Sequence, residues 1–416
     1  MSAPLPPTAI GSGNEGTLKD QFDAYVSRLK NGEMGSLPAI GAILVLAGVF
    51  YALSPQFFLG PINFANMFVQ AAELTMLSAA LVFVILLAEI DLSAGVTAGV
   101  SMAVFIVLIK YQNWNWGLAL VAGFIAGLAI GWIIGFIVAK IGVPSFVVTL
   151  AFFLGFQGMQ LVLLGEGGVY RVEVPAILSI MNDNMPVWAG WAMLAVMAVV
   201  MAGLSLWDRS RRTRFGLVSK PISLLIIKIV ALVAIGGVAV NYMNQNRSQG
   251  PIPILGVPIV VPITIGVLFV GSFVLDRTKF GRHLYAVGGN PEAARRAGIK
   301  VGRIRIYAFM ICAFLAVISG VFHSSRIGNV DGSAGHTIVL SGVAAAVVGG
   351  VSLFGGRGKL IHAAIGALVI TMIDNGLGLL QMPAGINFLV EGGVLLLAAT
   401  IDALARKRSG GSIARS

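Results

Sequence analysis

Twelve runs of mainly apolar residues, separated by polar or basic connections, dominate this 416-residue sequence. They fall at 37–53, 62–88, 95–109, 117–139, 144–164, 187–207, 222–242, 257–275, 304–323, 337–355, 360–380 and 386–404. A helix of about 20 such residues crosses the hydrocarbon of a bilayer. Inside lipid, only helices and closed barrels satisfy every backbone group. The pattern predicts an all-α polytopic membrane protein with 10–12 transmembrane helices. The run at 95–109 is short and the one at 337–355 is interrupted by glycines, so either is expected to be a half-helix or a re-entrant segment. Composition agrees, with 57% hydrophobic and 11% charged residues, where a soluble chain carries roughly a quarter charged.

The basic residues orient these runs. With the N-terminus placed in the cytoplasm, 23 of the 28 Lys and Arg fall in inside connections and tails. Four fall outside (Lys110, Arg171, Arg247 and Arg326), and Lys228 lies within a run, two turns from Pro221, where it can snorkel to the interface. So asymmetric a split predicts that both termini are cytoplasmic. The expected organisation is a polar cytoplasmic tail at 1–36, a transmembrane domain at 37–405 containing a cytoplasmic loop at 276–303, and a second tail at 406–416. The net charge of +11 is thereby accounted for by topology, and nucleic acid is not an expected partner. The polar tail has no apolar segment of the kind a cleavable signal peptide needs.

Several motifs carry little chemistry. Gly11–Gly16 spells G-x-G-x-x-G, but no strand precedes it and no helical pattern follows. Cys312 reads as a small buried apolar residue, and the four histidines show no metal-ligand spacing. Gly355–Leu360 approaches a phosphate loop but lacks both the first glycine and the hydroxyl after the lysine. Tyr111, Trp114, Trp116, Trp188 and Trp191 are expected at the headgroup level. Gly123, Gly127, Gly131 and Gly135 line one stripe of a helix and predict close packing against a neighbour. Segments 88–95 and 349–356 resemble one another thinly, which a duplicated ancestor or chance would both explain.

The largest inside connection, 276–305, reads differently from a plain linker. Asn290 and Pro291 are helix-start residues, Glu292-Ala293-Ala294-Arg295-Arg296-Ala297 favours helix, and Gly298 ends it. A short capped helix is therefore expected there, introduced by a flexible Gly288-Gly289 hinge. It suits docking into a groove on a cytoplasmic partner, or resting on anionic lipid.

The stretch FGRHLYAVGGNPEAARRAGI (280–299) resembles the cytoplasmic loop of permease subunits of monosaccharide ABC importers, the ribose, arabinose and xylose uptake family. AEIDLSAGVTAG (88–99), VPSFVVTLAFFLGFQG (143–158), GVAAAVVGGVSLFGGRGK (342–359) and DNGLGLL (374–380) extend the likeness over most of 60–405, and it is greatest to the D-xylose permeases. The chain departs from that pattern at Ala297, where the family commonly has Ser, and at Ser341, where it often has Asp. The resemblance implies a coupling helix within 281–298 that docks on a separate ATPase through Gly281, Arg282, Tyr285, Gly288, Gly289, Asn290, Pro291, Glu292, Ala293, Ala294, Arg296 and Gly298. It also implies ATP and Mg on that subunit with no cofactor on this chain, a periplasmic sugar-binding protein, a homodimer of permeases, and a bacterial inner-membrane location.

Ionisable groups at membrane depth are functional candidates by default. Glu73, Asp374 and Glu391 qualify, with Glu89 and Asp91 at an inner boundary. A neutral sugar needs donors and acceptors rather than a counter-charge, so Gln70, Glu73, Gln157, Gln160, Asp374 and Asn375 are candidates to line its path, unless they pair with each other or cap broken helices. The expected function is alternating-access translocation of a pentose, with no enzyme activity in this chain. An ion-coupled secondary transporter, with Glu73 and Asp374 relaying protons, and a membrane scaffold or enzyme subunit without a transport role are the alternatives.

Overall fold

The computed structural model describes residues 35–216, 219, 221–248 and 250–408. Most of both tails, including Gly11–Gly16, lies outside the described residues. The chain forms two compact units, one comprising Met185–Asn246 with Gly250–Val257 and the other containing the remaining described membrane helices.

The larger unit begins with α1 (Leu37–Leu53), α2 (Pro61–Ile85), α3 (Ala94–Gln112), α4 (Trp116–Phe136) and α5 (Ser145–Leu164). The short strand β1 (Val169–Arg171) and α6 (Pro175–Asn182) follow. After the smaller unit come α9 (Val260–Arg277), α10 (Lys279–Gly289), α11 (Pro291–Arg296), α12 (Val301–Ile327), β2 (Asn329–Asp331), α13 (Ile338–Val348), α14 (Leu360–Leu379) and α15 (Ala384–Arg408). The smaller unit is a pair of packed helices, α7 (Val187–Arg214) and α8 (Ile222–Met243).

Ten described helices are long and apolar enough to cross a membrane. The segment at 95–109 belongs to a 19-residue helix, so its expected half-helix is corrected: the helix runs on through the polar Lys110, Tyr111 and Gln112 to a left-handed Asn113. The break at 337–355 is real. Its helix, α13, has 11 residues, and chain at Gly350, Gly355, Gly356 and Gly358 adopts positive φ. No Cβ-bearing residue continues a right-handed helix through such a stretch.

The core sits around α2, in which every residue from Ala71 to Ile85 is buried. It packs against α12, α14, α13 and α9, with Met76, Leu77, Leu81 and Phe83 at its centre. Helices α7, α8 and α15 instead expose large apolar side chains such as Val199, Ile235 and Leu396. Lys228 is on the exposed surface of α8.

Because lipid is as apolar as leucine, the burial of side chains gives membrane helices little reason to associate, and close packing must do so. The glycine stripe of α4 provides it. A Cβ on Gly123 would lie 2.8 Å from the Ser101 carbonyl oxygen on α3, and one on Gly135 would lie 2.8 Å from Ile306 Cα on α12. Gly127 and Gly131 lie equally tightly against α12, so the stripe packs within the subunit. The helix ends in one π turn, Ile137–Ile141, closed by left-handed Gly142. Trp114, Trp116, Trp188 and Trp191 are all exposed, and Cys312 is fully buried.

Candidate translocation site and docking surface

Glu73 lies at the midpoint of α2, with twelve residues of the helix on either side. At 1.5 Å per residue that is about 18 Å from each end. Its side chain is 2% exposed, with one carboxylate oxygen 2.8 Å from His323 Nδ1 and the other 2.8 Å from Arg326 Nε. Ser319 donates to the Glu73 backbone carbonyl at 3.1 Å. Ser319, His323 and Arg326 are spaced i, i+4, i+7 on α12, so one face of that helix addresses this single residue.

Beside the carboxylate is a cavity of about 20 Å³ lined by Glu73, Ser319, His323 and Ser324, with Gly95 and Gly99 of α3 and Gly335 ahead of α13. It has room for about one water. Gly95 and Gly335 meet backbone to backbone, leaving no space for a Cβ on either. Gln160 reaches the same wall: it is fully buried, packs on Gly99 and donates to the Val96 carbonyl at 3.1 Å. Asp331 in β2 also faces this region. Burial acts to raise its carboxyl, but the Ser333 hydroxyl and amide, with His323 and His336 nearby, hold it below the ordinary carboxylate range.

The other polar candidates lie away from this cavity. Asn375 exchanges hydrogen bonds with Asn63 at 2.7 and 2.9 Å, tying the start of α2 to the end of α14. Asp374 hydrogen-bonds Glu391, which accepts from Ser341 at 2.7 Å. Gln70 and Gln157 are half-buried on α2 and α5. The boundary acids are structural: Asp91 accepts from the Ser93 amide and hydroxyl at 2.9 and 2.6 Å ahead of α3, and Glu89 lies 3.0 Å from Arg305 Nε. Among the described residues, no group of three or more His, Cys, Asp or Glu is placed to hold a metal ion.

At the opposite end of α12, α10 and α11 form the expected capped element. Thr278 caps α10 by accepting from Gly281 N at 3.2 Å, and Asn290 caps α11 by accepting from Ala293 N at 2.9 Å. Pro291, Glu292, Ala293, Arg295 and Arg296 are exposed, while Ala294 is buried and anchors the turn. Arg282, Ala297 and Gly298 are exposed as well. The Glu292–Arg295 pair is fully at the surface, where such pairs add little stability. These charges are therefore available to a partner.

The flexible Gly288-Gly289 hinge is corrected. Both residues belong to the last turn of α10, and Gly288 is buried so closely against the Leu86 carbonyl that a Cβ would overlap it. Gly356 N donates to that same carbonyl at 2.8 Å. The thinly similar segments 88–95 and 349–356 thus follow α2 and α13 and converge on α10. Tyr285 adds a bond from its hydroxyl to the Gly358 carbonyl at 2.8 Å. Burial, with Asp276 nearby, pushes that phenol up to about 12, so it remains a donor.

The sequence reading missed Arg326 and His323, counted there as an outside charge and a scattered histidine. Their i, i+3 spacing on the face that also carries Ser319 was the available signal. Asn63 and Ser341 had none, because their partners lie far away in sequence.

The described residues form a polytopic helical membrane protein with a buried polar centre and a capped surface helix at one end. The chain belongs to the permease family described as branched-chain amino acid transport system / permease component, which matches residues 63–399. It is 33% identical over 386 residues to the xylose transport system permease protein of Escherichia coli (strain K12), covering 92% of this chain and 95% of that one. The corresponding protein of Haemophilus influenzae is 33% identical over 372 residues, covering 88% and 96%. The ribose import permease protein of Escherichia coli (strain K12) is 30% identical over 362 residues, covering 87% and 91%. No solved structure matches the chain. The ion-coupled alternative finds no support among these relatives.

Proposed function

We propose that this chain carries D-xylose or a similar pentose across the bacterial inner membrane as the permease of an ABC importer, working by alternating access. The observation that carries the reading is the 33% identity to a xylose permease over 92% of the chain. The basic-residue asymmetry supports cytoplasmic placement of both termini, which puts α10 and α11 in the cytoplasm and the β1–β2 end at the periplasm. A separate ATP-binding subunit then docks on α11 and holds the ATP and Mg, so the chain needs no ATPase site of its own. A sugar-binding protein delivers pentose at the other face, and a second permease copy completes the path.

Docking through α11 has a direct physical route inward. Force on α11 reaches α10, whose Gly288 and Tyr285 bear on the connections after both α2 and α13. Reversing the exposed charges tests this: Glu292→Arg with Arg296→Glu abolishes co-purification with the ATP-binding subunit while membrane insertion stays normal. Intact association overturns the docking assignment. ATP-dependent D-xylose uptake by the complex reconstituted in liposomes tests the substrate, and uptake of no pentose overturns it.

A further inference from the structure

We infer that Glu73 is the residue in the path that accepts the hydroxyl groups of the sugar, and that Arg326 and His323 mask it in the closed state. The inference rests on the pentose-permease reading.

A carboxylate at the middle of a membrane helix is costly, and an ion pair rarely repays that desolvation in stability alone. Hydrophobic residues would hold α2 to α12 as well. Glu73 is nevertheless buried, and three residues on one face of α12 converge on it. Its carboxylate also borders the cavity where Gly95 and Gly335 touch. Such a wall closes when backbones meet and opens when they separate by a few ångströms. The space has room for about one water, and the backbone contact of Gly95 with Gly335 and the pairing of Glu73 with His323 and Arg326 close the carboxylate to a sugar in this conformation.

The masking groups are suited to release. The side chains of Arg326 and His323 are 38% and 23% exposed, against 2% for Glu73, so both can turn to water when α12 moves. Glu73 cannot. Movement of the Gly335 segment away from α3 then leaves a buried carboxylate with open acceptor positions beside an enlarged cavity. A carboxylate accepts from two hydroxyls at once, and a pentose presents vicinal hydroxyls. Gln160, packed behind Gly99 of that wall, has a fully buried Oε1 without a hydrogen-bond partner.

The test uses the full complex of permease, ATP-binding subunit and sugar-binding protein in liposomes. It compares uptake of D-xylose with mono-deoxy analogues that the binding protein still carries, at saturating loaded binding protein so that kcat does not report delivery. Glu73→Gln keeps the shape of the side chain, so insertion and ATPase association remain normal. The expected result is a kcat for D-xylose at least about tenfold lower, in line with loss of a hydrogen bond to a charged group, with the ratio of D-xylose to deoxy analogue falling toward one. Arg326→Gln leaves the acceptor in place and preserves the ratio. An unchanged rate in Glu73→Gln overturns the inference. So does an equal loss for all sugars, or full recovery in the swap Glu73→Arg with Arg326→Glu, since either outcome marks a purely structural pair. If the unsubstituted complex moves no pentose, the pentose reading fails first and the inference falls with it.

Discussion

The amide of Gly356 donates to the carbonyl of Leu86 at 2.8 Å, joining the connections that follow α2 and α13 directly beneath Gly288 of α10. Three segments far apart in sequence thereby share one carbonyl oxygen at the end of the bundle where the docking helix sits. The contact has no side chain in it, so it depends on backbone approach alone.

Gly288→Ala tests that approach. The new methyl group overlaps the Leu86 carbonyl, and overpacking of this kind costs about 1–3 kcal/mol. Gly289→Ala, one residue on, meets nothing within 4 Å and should be near neutral. Thermal unfolding in detergent should separate the two variants clearly, and a flexible hinge would have made them alike.

Tyr285→Phe removes the donor to the Gly358 carbonyl and should destabilise by about 1 kcal/mol. Burial, with Asp276 nearby, pushes the folded phenol from the ordinary tyrosine value of about 10 up to about 12. Its contribution is fully present below pH 10 and lost as pH rises through 12. A tyrosinate absorbance difference between the unsubstituted protein and Tyr285→Phe should therefore stay flat to beyond pH 10 and rise only near pH 12.

Gly131→Ala places a methyl group 2.7 Å from the Phe309 carbonyl oxygen and from Ala313 Cβ. It should destabilise the α4–α12 contact by about 1–3 kcal/mol. Gly158→Ala on α5, with open space around it, is the control and should change little. Loss of folded protein on a heated size-exclusion column measures both.

Asn375→Leu leaves Asn63 without its reciprocal partner and should cost about 1–3 kcal/mol. Adding Asn63→Leu removes the stranded group, so the double variant should be more stable than the sum of the two single losses. A double-mutant cycle on unfolding midpoints measures that coupling.

Much of the architecture was legible because membrane insertion is a property of local segments. A run of apolar residues partitions into lipid whatever its neighbours do, so α4, α5, α7, α8, α9, α12 and α14 could be located within a few residues. Helix α11 was legible for a related reason, since Asn290, Pro291 and Gly298 act within one or two turns. The hinge was not. Gly288 and Gly289 are chemically identical in the chain, and only the Leu86 carbonyl distinguishes them.

The polar candidates divide in the same way. That Glu73, Gln160, Asp374 and Asn375 had to be accounted for follows from the cost of polar groups at membrane depth, which any apolar run imposes on the residue inside it. Which partner each one takes is settled by helix packing. Asn63 reaches Asn375 across 312 residues and Arg326 reaches Glu73 from another helix. The sequence by itself therefore determined which segments enter the membrane and which polar residues require partners, because transfer free energy is additive along the chain. The tertiary structure alone decided that Glu73 borders a small cavity while Asn375 is tied into a pair with Asn63, because hydrogen bonds and backbone contacts depend on distances between helices that local sequence does not encode.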